Sequence, residues 1–526
     1  MKHSTLKNTL IRELASDPSY LNPVLANDNP SFQVVRLIYD NLLDIDESPN
    51  SNLVGRLAEK WAVSEDKLTV TFYLRRGVTW HDGKPFTAED VKFTFDTAMR
   101  DDIPALLMKS TVETLERVEV IDPHVVKFYF KHPFSPGLLN VGQTFIIPKH
   151  RLDDKGLIQE KLSRNVSGQV TFLTTEYNRK PIGTGAYIFQ EWKTNQHIKL
   201  TANKAYWNPD LSPKIRNVTI KIIPNRTTAF NVLQKGNLDV FRARAIHYLH
   251  FARLTSLHQD FLAEKISQPS YYYIGWNMRS ERPFFSDQRV RMAMTHALDR
   301  KAFVEKAGYG LAEILTGPFY YKSWAYNPNL EAIPFDLNKA AQLLDAAGWR
   351  DHDADGILDK NGRKFEFELL ISSGSPTFAQ LAAIVQANLK SLSIEVLIRV
   401  YEWSVYLSKS NKGEFDALIG GWVLGVDPDP YSIFHSSQIT TGNNDIGYDN
   451  KKIDALLEAG RQEYDRQKRQ QIYWQIHQII HDEQPFTFVY TRMETYILSK
   501  RIEGYLVSPY GLFAFYPGPL NWSLRN

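Results

Sequence analysis

The stretch that decides the fold runs from Trp61 to Val91. Its core reads Leu68-Thr69-Val70-Thr71-Phe72-Tyr73-Leu74-Arg75-Arg76-Gly77-Val78-Thr79-Trp80-His81-Asp82-Gly83-Lys84-Pro85-Phe86-Thr87-Ala88-Glu89-Asp90-Val91. β-Branched, aromatic and aliphatic side chains alternate over 68–74, which predicts a strand. Asp82-Gly83 tolerates positive φ and predicts a tight reversal. Thr87 and Asp90 have the spacing of an N-cap and its capping-box partner. They open a helix with Val91, Phe93 and Phe95 on its apolar face.

Outward from this segment the chain alternates between strand and helix signals. Residues 6–60 read as strand, proline-rich turn and helix, with Val34, Val35, Ile38, Leu42 and Leu43 at helical spacing. Alternation over 112–148, as in Val125 to Phe130, predicts a small sheet, and two glycines in Pro181 to Tyr187 permit a tight turn into a strand. Tyr271 to Met278 reads as a buried strand, followed by a helix from Ser286. Asp336 caps a helix that stops at Gly348, and strands at 365–371 and 394–400 flank a helix at 377–391. Long helices over 450–482 carry Ile472, Ile476, Ile479 and Ile480, and Pro485 to Tyr490 is a strand. The aromatic tail 500–526 is expected to return to the first part of the chain. This alternation predicts an α/β class.

Read in this order, the segments closely resemble the family 5 extracellular solute-binding proteins, the peptide-capturing subunits of bacterial ABC importers. The resemblance rests on residues 61–91, on Leu14 to Pro23, on Asn203 to Trp207, and on Gly183-Thr184-Gly185-Ala186-Tyr187, where Ala186 replaces the family's usual proline. It implies a two-lobed periplasmic-binding-protein fold (type II, cluster C). Lobe I would be 1–270 plus 491–526, with an inserted subdomain at about 40–181, and lobe II would be 271–490. It further implies a periplasmic, monomeric protein that closes on a peptide and delivers it to membrane permease subunits, with no nucleic-acid partner. The first twelve residues hold no apolar run of signal-peptide length. Either the protein is cytosolic or this is a mature form whose export signal is replaced by an initiator Met. The second is the expectation, because the first strand begins at about Leu6, where mature family members begin. A membrane-anchored lipoprotein is the alternative to a free periplasmic protein.

Composition excludes several classes. With 526 residues, 43% of them hydrophobic, the chain can fill two or three cores. Its net charge of +3 includes no basic block that would suggest nucleic acid. Zero cysteines rule out disulfides, zinc ribbons and thiol nucleophiles. Gly77 to Lys84 has one residue too many between its glycines for a phosphate loop, and Pro85 stands where a magnesium-binding hydroxyl would be. No GxSxG or HExxH occurs, and His477 with His481 reads as a solvated helix face. No enzyme is expected and no cofactor is required. A structural calcium is the one candidate: Asp351, Asp353, Asp355 and Asp359 fall at positions 1, 3, 5 and 9 of a loop with Gly356 at 6, although Gly362 replaces the bidentate Glu at 12.

The resemblance places ligand contacts at Ser19, Tyr20 and Leu21, at Tyr273 and Asn277, at Ser372 and Ser373, and at Trp403. It adds the cleft loop Gly421-Trp422-Val423-Leu424-Gly425, then Asp427 and Asn444. Glycines let a backbone approach the ligand, and Trp422 offers a flat wall. Gly425 stands where dipeptide-binding relatives have the Asp that holds a peptide amine, which leaves Asp427 or Asp429 for that role. The alternative makes Asp427 a turn-former ahead of Pro428. Ser372 to Pro376 lacks the relatives' carboxylate-binding Arg. Losing both partners points to longer peptides, or to a non-peptide solute such as an oligosaccharide or metal complex. An enzyme or chaperone reusing the fold is the reading from another class.

Overall fold

The computed structural model describes residues 8–525 apart from 49, 154–171, 174, 280, 282–283 and 307–308. Two compact units divide the chain, Met1–Ile266 with Glu494–Asn526, and Ser267–Met493. The sequence reading sets its lobe boundaries at 270/271 and 490/491.

In the first unit, β1 (Thr9–Leu14) is buried along its whole length and helix α1 (Asn29–Ile38) follows it. Asp28 caps α1 by accepting from the Ser31 amide. Leu42 and Leu43, expected on this helix, lie beyond it, because the chain turns extended at Tyr39 and Leu43 opens a short strand. A close approach ends the helix. Gly185 donates its amide to the Ile38 carbonyl at 2.8 Å, and a Cβ on Gly183 or Gly185 would collide with that carbonyl group. The two glycines are therefore required for contact and not for a positive-φ turn, since neither has positive φ.

The signature segment forms β3 (Thr69–Leu74), paired with β2 (Ala58–Val63) on one side and β5 (Val125–Phe130) on the other, with β4 (Leu115–Asp122) beyond β5. Gly83 has φ +82°, as the reversal requires. Helix α2 (Ala88–Met99) starts with the expected Thr87–Asp90 capping box. Phe95 of this helix meets Phe128 edge-on at 4.8 Å. The alternation read across 112–148 stops at Phe130, and Ser135–Gly142 is a helix opened by Pro136. The main sheet of the unit continues through β6 (Tyr187–Lys193), β7 (His197–Ala202), β8 (Asn217–Ile222) and β9 (Val240–Ala243). Both β8 and β9 run parallel to β1.

The second unit is built on β10 (Ser270–Trp276), β11 (Glu366–Ser372), β12 (Glu395–Tyr401) and β13 (Ala417–Val423), in the sheet order β12-β11-β13-β10. Strands β11, β12 and β13 are parallel, and β10 is antiparallel to β13. Three helices start at side-chain caps: Asp287 for α3 (Gln288–His296), Asp336 for α4 (Leu337–Ala346) and Ser375 for α5 (Pro376–Lys390). Helix α6 (Trp403–Lys412) follows β12, and α7 (Lys451–Gln462) packs with α8 (Arg466–Glu483). The strand read at 485–490 extends over Phe486–Ser499 (β14). Its first residues pair with β10, and Thr495 to Leu498 pair with β9 of the first unit. Among the described residues no helix is long and apolar enough to cross a membrane.

Candidate functional site

In open α/β sheets ligands bind outside the carboxyl ends of the strands. Register brings the carboxyl ends of the three parallel strands of the second unit to one edge: Ser372 of β11 is level with Tyr401 of β12, and Leu370 with Leu418 of β13. Ser373 closes this edge by donating its amide to the Tyr401 carbonyl at 2.7 Å. Ser372, Ser373, Trp403 and the loop from Gly421 to Gly425 are thereby gathered on one rim. Trp403 sits just past β12, where Glu402 caps α6, and stacks on Tyr406 with ring centroids 5.5 Å apart. It is 54% exposed and Val423 is 85% exposed, large apolar surfaces for a solvent-facing rim. Trp422 is half-buried against the core of the unit. Gly421 lies over Tyr272, whose ring a Cβ would approach to 2.5 Å.

Several residues expected to touch ligand are instead part of the framework. Tyr273 is buried and stacks on Phe486 at 3.8 Å; strand alternation turns its neighbour Tyr272, half-buried and stacked on Tyr490 at 4.6 Å, to the other face. The run Tyr271-Tyr272-Tyr273 carries no polarity pattern to say which ring faces where. Asn277 is fully buried, and its side-chain amide donates to the carbonyls of Gly413 and Phe415. Asn444, equally buried, donates to His435 and Tyr448 carbonyls and accepts from the Tyr448 amide. Both amides hold loops in place.

Asp427 is not an open carboxylate. Arg469 of α8 grips it with two bonds, 2.5 and 2.7 Å long, while donating also to the Gly460 carbonyl and the Tyr473 hydroxyl. Asp429 accepts from Arg461 at 2.8 Å and from the Tyr431 amide at 3.1 Å. Burial holds the Asp429 carboxyl above the ordinary range, with Arg461 pulling the other way. Neither the amine-anchor nor the simple turn reading of Asp427 foresaw this pair. The missing signal is a helix face 42 residues away, which sequence spacing alone does not connect to the loop.

In the first unit the loop after β1 presents Ser19, exposed and bonded to Asp28 and Asn27, and Tyr20, half-buried. Leu21 is fully buried and donates its amide to the Asn178 carbonyl, so only the first two of the three reach the surface. The carboxyl ends of β1 and β9 open on a cavity of ≈ 180 Å³, lined among others by Arg12, Glu13, Gln33, Arg226, Arg242 and Tyr496. This charged pocket escaped the sequence reading, because Arg12 and Glu13 sit inside an apparently ordinary strand.

The family model for bacterial extracellular solute-binding proteins, family 5 Middle, matches residues 52–445. The chain belongs to this family. Oligopeptide-binding protein AppA of Bacillus subtilis is 35% identical over 499 residues, covering 94% of this chain and 88% of AppA. Heme-binding protein A of Haemophilus influenzae is 27% identical over 539 residues, covering 98% and 92%. The solved structure of Bacillus subtilis AppA in complex with a nonapeptide superposes with a TM-score of 0.72 at 33% identity, covering 98% of this chain and 99% of that one.

Two further sequence expectations meet the structure of this family 5 chain. His477 is fully buried, not on a solvated face: its Nδ1 accepts from the Asn327 amide at 3.1 Å and its Nε2 meets Thr316 Oγ1 at 3.0 Å. Burial draws its pKa down to about 3, so the ring stays neutral. In the acidic loop Asp351, Asp353 and Asp359 bring one carboxylate oxygen each within 4.8 Å of one another. Asp355 is not among them, because Lys364, across the hairpin, takes its carboxylate in an ion pair. Backbone amides of Asp355 and Gly356 already donate to Asp351, and the amide of His352 donates to Asp359.

Proposed function

We propose that this family 5 protein is the periplasmic solute-binding subunit of an ABC importer, that it captures oligopeptides and that it hands them to membrane permease subunits without chemical change. The observation that carries this reading is the rim of the second unit. It offers aromatic and aliphatic surface at Trp403, Trp422 and Val423 beside the exposed Ser373, while Asp427 and Asp429 are tied up in arginine pairs and Glu402 accepts from the Ser404 amide and hydroxyl at the start of α6. Such a rim reads area and backbone, not the charged end of a dipeptide. The relative named as oligopeptide-binding, and its nonapeptide complex over nearly the whole chain, support the same ligand class.

A non-peptide solute is the second reading, favoured by the heme-binding relative. No cofactor is needed for either. A calcium ion held by Asp351, Asp353 and Asp359 would be a structural addition to the loop. Denaturing the purified protein and identifying the released small molecules by mass spectrometry tests the assignment. Peptides of several residues are the expected occupants, and a tetrapyrrole, sugar or metal complex in their place would overturn it. Incubating the folded protein with a released peptide should return the peptide intact, and cleavage products would make it an enzyme.

A further inference from the structure

Three guanidiniums and one carboxylate line the cavity of the first unit, a second carboxylate, Glu494, pairs with one of those arginines, and both carboxylates are already occupied. Glu13 holds Arg226 through both oxygens at 2.7 and 2.9 Å and accepts weakly from the Arg242 amide. Glu494 pairs with the Arg242 side chain and accepts from the Tyr496 hydroxyl at 2.9 Å. Arg12 is left over. It is 4% exposed, its Nη2 donates to Gln33 Oε1, and its guanidinium lies over the Phe513 ring at 4.4 Å. Its Nε has no hydrogen-bond partner among the described residues. Burial lowers the Arg12 pKa to about 10, as expected of a cation without a matched counter-charge. A buried charge in this condition is costly unless something else pairs with it.

We propose that the cavity receives a carboxylate of the bound ligand, with Arg12 as its counter-charge. The proposal rests on the peptide reading above and sharpens it: the ligand class becomes peptides that bring an anionic group, C-terminal or side-chain, to the first unit. A guanidinium fork matches a planar carboxylate, and Arg12 lines the cavity. At ≈ 180 Å³ the space suits one end or one side chain of a ligand and not a whole peptide, for which about 300 Å³ is the lower bound of common pockets.

Calorimetry on the full chain with hexa-alanine, its C-terminal amide, and that amide carrying one glutamate tests the proposal. The plain amide should bind roughly tenfold to a hundredfold more weakly than at least one carboxylate-bearing probe. Arg12→Gln should erase that advantage and Arg12→Lys should keep part of it. The probe that retains the advantage identifies terminus or side chain as the group read. Equal binding of all three probes, or an advantage that survives Arg12→Gln, overturns the site. Unliganded Arg12→Gln should melt at or above the wild-type temperature, since it removes an unmatched charge. A fall of several degrees would make Arg12 a framework residue and would also overturn the site. Failure of the wild type to bind any of the three would instead count against the peptide reading. The site is then decided by millimolar glutarate in a thermal-shift assay. Stabilisation of wild type but not of Arg12→Gln supports it, and equal or absent shifts end it.

Discussion

The two units carry similar sheets and end them differently. In the first, the carboxyl edge around β1 and β9 opens on a pocket of charged side chains in which the Arg12 Nε has no hydrogen-bond partner among the described residues. In the second, the carboxyl edge of β11, β12 and β13 carries Ser373, two tryptophans and a valine; Asp429 and Asp427 are neutralised from behind by Arg461 and Arg469, and Glu402 caps α6. One edge is suited to recognising charge, the other to covering area. Stacking and apolar contact tolerate variation in what is bound, whereas a charge pair is selective.

The largest expected effect comes from making the second unit as unmatched as the first. Asp427→Asn removes one partner of a largely buried pair and strands Arg469, which is 6% exposed. Stability should drop by about 3–5 kcal/mol in denaturant titrations. A peptide and its N-acetylated form should lose affinity equally on this variant, because Asp427 holds the framework. Selective loss for the free amine would restore Asp427 as a ligand contact and blur the contrast between the units.

Acid is the second probe. His477, in the core of the second unit, has its pKa lowered by burial to about 3 in the folded state. The unfolded chain therefore takes up a proton that the folded chain refuses. The contribution of His477 is fully present above the ordinary histidine pKa and is lost as pH falls toward the folded value, with about 2 kcal/mol gone by roughly pH 5. His477→Gln should flatten the stability profile between about pH 6.5 and 5, and parallel profiles would show that the ring is protonated in the folded protein.

Trp403→Ala addresses the rim itself. Half of this side chain is exposed, so unfolding free energy should change by less than about 0.5 kcal/mol. Affinity should fall about tenfold for peptides of every sequence, with Trp422→Ala acting in the same direction at some cost in stability. Loss confined to one peptide sequence would mean that the rim reads identity and not area. Smallest is the acidic loop: with its carboxylates already accepting from backbone amides and Lys364, calcium against chelator should move the melting temperature by no more than a few degrees. A larger shift would make the ion part of the fold.

Local signals were the legible part of the sequence. The strand, turn and capping box of residues 69–99 appear as read, because each depends on neighbours within four positions. So do the Asp336 cap and the Ser372-to-Pro376 turn into α5. What depended on distant partners was not legible. Gly183 and Gly185 answer to a carbonyl 145 and 147 positions earlier, Asp427 to Arg469, and Asn277 to carbonyls near 413–415. Polar residues at ligand-like positions were therefore read as contacts when the fold uses them as struts. Arg12, inside a buried strand, was overlooked for the opposite reason: burial hid a charge.

Titration of the purified full chain with a nonapeptide and, separately, with a hexasaccharide tests the central assignment most directly. A saturable peptide isotherm with one site and micromolar or tighter affinity, at about −8 kcal/mol or beyond, is expected, with no heat of binding from the sugar. A sugar that binds while the peptide gives no signal at millimolar concentration would contradict it.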